Sequence, residues 1–432
     1  MVDVGLGVRA HHAGGDPFLA GTLAADHDAV GAVGGGEAVG LVEGGGVGQL
    51  GVDLDDGHLV GAGPGPKGGR DAGTEQVGPL QGGVGGEITD GGQRHVADSA
   101  RRVGPPVTAR SPGPRTVGSV RPLVIAHRGA SGHRPELTLE AFALALRLGA
   151  DSIELDLVPT RDGVLVCRHD LELSRTTDVA SHPELAGRRR TIVVDGLLHR
   201  GWFVHDLTFE ELRSLRCVER WPAKRPSSAA HDGRSVVPTF AEVLELVEAE
   251  AGRRGRPVRV HAELKHPAFV ESLGHSLPEL VDDVRHPYVT WMSFDATVLR
   301  RLHLRGRDRL VQLYERRPRG RHLAAASTYA SGVGVRRKVV LPKDDAGRVD
   351  RPTDFVAKAH RRDLDVLVWT HRAENEHLPR NLRVGRDPHG HGQGQLAAEM
   401  LFEAGIDALI TDFPELGVAA REAFEVGLPI AR

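Results

Sequence analysis

The chain has 432 residues, enough for one large domain and extra segments, and a formal net charge of −3 that argues against nucleic acid as a partner. Its two cysteines, Cys167 and Cys217, are too few for a disulfide framework or a zinc knuckle, though one bridge stays open. No apolar run reaches the roughly 20 residues needed to cross a bilayer, so no transmembrane segment is expected.

Residues 1–118 stand apart from the rest. They carry more than half of the 55 glycines, and Phe18 is their one aromatic residue. Such a composition buries too little apolar surface to offset ordering entropy, so a disordered Gly-rich segment is expected. The glycine runs match no phosphate-binding loop, because no strand pattern precedes them and no helix pattern follows. The segment also fits upstream sequence read from a start chosen too early. The next methionine after Met1 is Met292, so a later start would use another codon near Val117 or Val120. The N-terminus lacks the basic start and apolar core of a signal peptide. As it stands the sequence reads as cytoplasmic, and as periplasmic or secreted if that start is mis-assigned.

From about residue 119 to 432 the texture changes to alternating strands and helices. Candidate strands are Leu123–Ala126, Ser152–Leu157, Val258–Leu264, Val289–Ser293, Leu310–Leu313, Lys338–Leu341, Val366–Thr370 and Ala408–Thr411. Helix patterns fall between most of them, at Thr138–Leu148, Phe240–Glu250, Thr353–Arg361 and Gly394–Ala404. Eight such units predict an α/β fold of the (β/α)8 TIM-barrel type, with its site at the C-terminal ends of the strands. The interval of about 170–256 is long for one crossover and reads as an insertion between the second and third strands. Val164–His169 reads as a hairpin extension of the second strand.

Candidate site residues cluster at the strand ends. Glu154 and Asp156, two apart on a strand, share one face. Two inward carboxylates repel, and a divalent cation relieves that repulsion; oxygen-only ligation favours Mg²⁺ or Ca²⁺ over zinc. A lone Glu-x-Asp is more often a solvated pair. His261, Glu263 and Lys265 alternate onto one face of the third strand, so Glu263 would complete a three-carboxylate metal site. Lys265 suits a phosphate oxygen, or is half of an ordinary ion pair. His127 and His169 each end a strand, and two imidazoles beside one cation can divide acid and base roles. Arg128 can fork onto a phosphoryl group, and Gly129 permits close backbone approach to an anion.

The series HRGASG, PE-x-T, GAD-x-IE-x-D, T-x-DG-x-LV, HD and R-T-TDVA resembles the glycerophosphodiester phosphodiesterase family. The likeness continues through WFVHDLTFEEL, Val237–Phe240, Glu263-Leu264-Lys265, Val368-Trp369-Thr370 and Thr411-Asp412-Phe413-Pro414, covering about Pro122 to Glu415. The long excursion and the TDVA segment look most like the bacterial periplasmic or secreted branch. The resemblance implies a barrel enzyme that hydrolyses small-molecule glycerophosphodiesters (deacylated phospholipids) to sn-glycerol 3-phosphate and an alcohol. It implies His127 and His169 as the acid–base pair, and Glu154, Asp156 and Glu263 as ligands of Ca²⁺ or Mg²⁺. Arg128 and Lys265 match phosphate contacts, and Trp369 and Phe294 match aromatics that could pack on the glycerol, though plain packing suits them as well.

Two departures stand out. Leu137 replaces an Asn common after Pro-Glu, and Gly332–Lys338 is more basic than the Gly-Pro-Asn-Lys-like loop of many relatives. Two alternatives belong to other classes of function. A non-catalytic barrel would leave catalytic positions unfilled, yet all are filled here. A barrel phospholipase acting on intact lipid would need an apolar rim, for which no cluster is evident.

Overall fold

The computed structural model describes residues 121–427. The expectation of disorder for residues 1–118 lies outside them. The described strands are β1 (Leu123–His127), β2 (Ser152–Pro159), β3 (Leu165–Cys167), β4 (Arg190–Val194), β5 (Leu197–Gly201), β6 (Arg259–Leu264), β7 (Val289–Ser293), β8 (Leu310–Tyr314), β9 (Gly332–Arg336), β10 (Asp365–His371) and β11 (Ala408–Thr411). The parallel ladder runs β1-β11-β10-β9-β8-β7-β6-β2, and pairing of β1 with β2 closes it. This is the (β/α)8 barrel that the sequence predicts. The short β3 lies antiparallel on β2, with Leu157 opposite Cys167, as the hairpin extension required.

The crossover helices start and stop where capping chemistry says they should. Thr138 accepts a hydrogen bond from the Ala141 N–H at 3.1 Å and opens the helix Leu139–Arg147. Gly149, at φ 94°, turns the chain out of it. Thr239 and Glu242 form a reciprocal capping box at the head of Phe240–Arg254, and Gly255 at φ 62° ends it. That helix packs against Leu139–Arg147, so it is the crossover between β2 and β6. The inserted excursion therefore ends near Pro238, not at residue 256. It carries the β4–β5 hairpin and a small core of its own, with Leu173, Val179, Phe203, Leu207 and Leu212 packed on Val158 and Val166.

One expected strand is wrong. Lys338–Leu341 is not the sixth barrel strand, because Arg337–Val340 forms a helical turn. The sixth strand is β9, whose glycines conceal it from a reading of apolar runs. Val333 and Val335 pack outward among the helices. On the other face, a Cβ on Gly334 would meet Leu313 Cδ2 at 2.4 Å, so no side chain fits there.

The barrel interior divides by chemistry. Ile125, Met292, Val311, Leu313, Leu367 and Ile410 fill it with apolar side chains. On β2 and β6 the inward faces are polar instead. Ser152, Glu154 and Asp156 run up one strand; His261, Glu263 and Lys265 run up the other. Asp156 stands opposite Glu263, and Glu154 stands opposite both His261 and His127. His261 lies lower in this column, with Nδ1 2.7 Å from the Ser152 hydroxyl.

Candidate active site

The chain leaves β1 through Arg128 (φ 55°) and Gly129 (φ 83°), both left-handed. This turn aims the Arg128 N–H at Glu154 Oε2, 2.9 Å away. A Cβ on Gly129 would strike the Ala141 backbone carbonyl carbon at 2.7 Å. Glycine is therefore required here by conformation and by the neighbouring helix. The guanidinium of Arg128 is buried, with Nε 3.2 Å from Asp156 Oδ2 and Nη1 3.2 Å from Glu136 Oε2. Leu137 is held at φ 58° and buried, its N–H bonded to the Arg128 carbonyl at 3.0 Å. A left-handed position suits Asn far better than Leu, which accounts for the departure noted in the sequence: core burial replaces conformational ease.

One carboxylate oxygen from each of Glu154, Asp156 and Glu263 lies within 4.8 Å of the others, and all three residues are buried. Their electrostatics are those of a crowded anionic site. Burial and then the Asp156 charge push the Glu154 carboxyl well above the usual carboxylate range. Burial raises Glu263 as well, against the pull of Lys265. For Asp156 burial also acts upward, but His169, Lys265 and Arg128 outweigh it and hold it low. Lys265 Nζ sits 2.8 Å from Glu263 and 3.6 Å from Asp156. Asp156 Oδ2 is buried and accepts no hydrogen bond. A buried set of three carboxylates, all oxygen donors, fits a hard divalent cation.

His127 and His169 flank this trio, and the charges of both are felt at Asp156. Each imidazole is backed by a carboxylate. His127 Nδ1 is 2.6 Å from Asp412 Oδ1, and His169 Nδ1 is 2.6 Å from Asp170 Oδ1. Both carboxylates are held well below their ordinary range despite burial, chiefly by Arg225 at Asp412 and by Arg220 at Asp170. An ionised carboxylate only accepts, so each Nδ1 carries the proton and each Nε2 is left as the proton acceptor. Burial and then Arg128 lower the pKa of both histidines, His169 to about 3.

Trp369 on β10 and Phe294 after β7 meet edge to face, with centroids 5.6 Å apart. The Arg336 guanidinium lies over Trp369 at 5.4 Å and pairs with Glu315 at 2.7 Å. The structure thus brings Glu154, Asp156, Glu263, Arg128, Lys265, His127 and His169 together at one barrel mouth, with His261 beneath, while Trp369 and Phe294 meet each other on other strands. Sequence reasoning missed the roles of Glu136, Asp170, Arg220, Arg225, Arg372 and Asp412. Asp170 and Asp412 sat inside quoted motifs; the arginines lay unmarked in the excursion and after β10.

A closed α/β barrel with an acidic trio between two carboxylate-backed imidazoles marks this barrel mouth as the candidate active site. Comparison makes the class specific. Residues 127–416 match the model of the glycerophosphoryl diester phosphodiesterase family. A glycerophosphodiester phosphodiesterase of Arabidopsis thaliana is 32% identical over 328 residues, covering 68% of this chain and 84% of that protein. One from Haemophilus influenzae is 27% identical over 343 residues, covering 68% and 88%. A solved structure from Silicibacter pomeroyi shares the fold, with a TM-score of 0.51, 24% identity and 71% and 94% coverage. The chain belongs to the glycerophosphoryl diester phosphodiesterase family and is an enzyme of that kind.

Proposed function

We propose that this enzyme hydrolyses glycerophosphodiesters to sn-glycerol 3-phosphate and an alcohol, using Ca²⁺ or Mg²⁺ and the pair His127 and His169. The observation that carries this reading is the convergence of Glu154, Asp156 and Glu263 within 4.8 Å, between two histidines of fixed tautomer. The three carboxylates would hold the cation, which when bound supplies Lewis-acid stabilisation of charge on the phosphoryl oxygens. Arg128 and Lys265 lie against the same carboxylates and would add positive charge to the phosphate. Nε2 of one histidine takes the proton from the nucleophile, either water or the glycerol 2-hydroxyl by way of a cyclic phosphate. The other histidine, protonated, gives its proton to the leaving alcohol oxygen as the P–O bond breaks. Phe294 and Trp369 offer an apolar face to the glycerol carbons. The excursion and its TDVA segment support a place in the periplasmic or secreted branch.

The deciding assay measures glycerol 3-phosphate released from glycerophosphocholine, with and without chelator. Full activity in chelator removes the cation from the reading, and full activity in His127→Ala removes the acid–base pair.

A further inference from the structure

Both carboxylates behind the two histidines are held by arginines from one short piece of the inserted excursion. Arg220 Nη1 donates to Asp170 Oδ2 at 2.6 Å, while Asp170 Oδ1 faces His169 Nδ1 at 2.6 Å. Arg225 Nη2 donates to Asp412 Oδ2 at 2.6 Å, while Asp412 Oδ1 faces His127 Nδ1 at 2.6 Å. Both arginine side chains are only 5% exposed. Trp221 is packed beside them, its ring centroid 5.0 Å from the Arg225 guanidinium carbon and 5.3 Å from that of Arg372. The segment is fixed internally, since Glu219 takes the Trp221 N–H at 2.9 Å and the Ser228 hydroxyl at 2.5 Å.

We infer that Arg220 and Arg225 are positioning residues, and that the segment Arg220–Arg225 fixes the orientation and tautomer of both imidazoles at once. This rests on the proposed roles of His127 and His169. A buried carboxylate without its arginine can rotate or take a proton, and a protonated carboxyl no longer dictates which imidazole nitrogen carries hydrogen. The two arms differ in one respect. Arg220 also binds Glu136 at 2.6 Å, and Glu136 aligns Arg128, a proposed phosphate contact. Arg225 otherwise binds Glu374 and the Ser131 carbonyl. Loss of Arg220 therefore alters kcat and KM together, whereas loss of Arg225 alters kcat alone.

The test combines steady-state kinetics on glycerophosphocholine with ¹⁵N-histidine NMR of the full chain. Arg220→Ala and Arg225→Ala each lower kcat by about 10–100-fold, the usual effect of removing a group that orients a ligand or base. Arg220→Lys and Arg225→Lys, which keep the charge and serve also where the alanine forms fold poorly, recover at least threefold of that loss. KM rises only in the Arg220 variants. In the spectra, Arg220 variants change the tautomer pattern of His169 alone, and Arg225 variants that of His127 alone. Lys224→Ala, in the same segment but paired with Glu376 outside it, stays within twofold of the wild type. The inference is overturned if either alanine variant keeps kcat within twofold, if one arginine moves both histidine signals, or if Lys224→Ala costs as much as the arginines. A wild type inactive on every glycerophosphodiester would instead remove the proposed reaction, while the NMR would still decide the positioning.

Discussion

Asp412 lies 2.6 Å from Nδ1 of His127 although 285 residues separate them in the chain. The contact closes the barrel chemically as well as topologically, because it joins the end of β1 to the end of β11. The second oxygen of Asp412 takes Arg225 at 2.6 Å and Arg372 at 3.0 Å. Asp412→Asn keeps the volume but frees the imidazole tautomer. We expect kcat to fall on the order of 10–100-fold with KM nearly unchanged. Leaving two buried guanidinium groups without their anion should also cost about 3 kcal/mol or more. Steady-state kinetics and denaturant unfolding check the two halves separately.

Cation binding should expel a proton. Burial and Asp156 hold the Glu154 carboxyl well above its ordinary range, so without a cation it keeps its proton where an ordinary Glu would have lost it. A cation stabilises the ionised form and reverses this. Calorimetric titration with Ca²⁺ or Mg²⁺ in two buffers of different ionisation enthalpy should report a fraction of a proton released per ion. Glu154→Gln should abolish the release and weaken binding. Equal apparent enthalpies in the two buffers would count against this account of the trio.

His261 makes a separate prediction about pH. Burial lowers its pKa from 6.5 to about 3, and it rests on Ser152 inside the barrel. The unfolded chain binds a proton near pH 6.5 that the folded chain refuses, so its stabilising effect is present above that pH and is lost as pH falls. Between pH 7 and pH 5 this one group removes about 2 kcal/mol of folding stability. Urea midpoints at the two pH values should show that loss in the wild type and a smaller one in His261→Gln.

Gly129→Ala should be among the most damaging single-methyl changes in the protein. The position needs φ 83°, and the new Cβ would meet the Ala141 backbone rather than a side chain that could move aside. Left-handed strain alone costs about 1–2 kcal/mol, and the clash adds to it. We expect at least 3 kcal/mol of destabilisation, read from chemical unfolding, and a loss of activity as Arg128 shifts.

Much of this molecule is legible in its sequence where chemistry is local. β7 and β11 fall where the sequence places them, as short, mainly apolar runs. The acidic trio is legible because alternation on a strand puts residues two apart on one face. β9 is not legible, since Gly332 and Gly334 serve a crowded interior that only the assembled barrel reveals. The arginine supports are invisible for a related reason. Arg220 reaches Glu136 across 84 residues and Arg225 reaches Asp412 across 187, and no local pattern encodes such distances. Leu137, a departure from the resemblance in the sequence, is a core residue held in a turn.

Glu154, Asp156 and Glu263 are expected to hold one divalent cation between His127 and His169. The most direct measurement is diffraction from crystals of the active protein grown with Mn²⁺, recorded at the manganese edge. The expected result is a single anomalous peak about 2.0–2.6 Å from one oxygen of each of the three carboxylates, with activity lost in chelator and restored by the ion. No peak among the three carboxylates, in an enzyme that keeps its full rate in chelator, would contradict it.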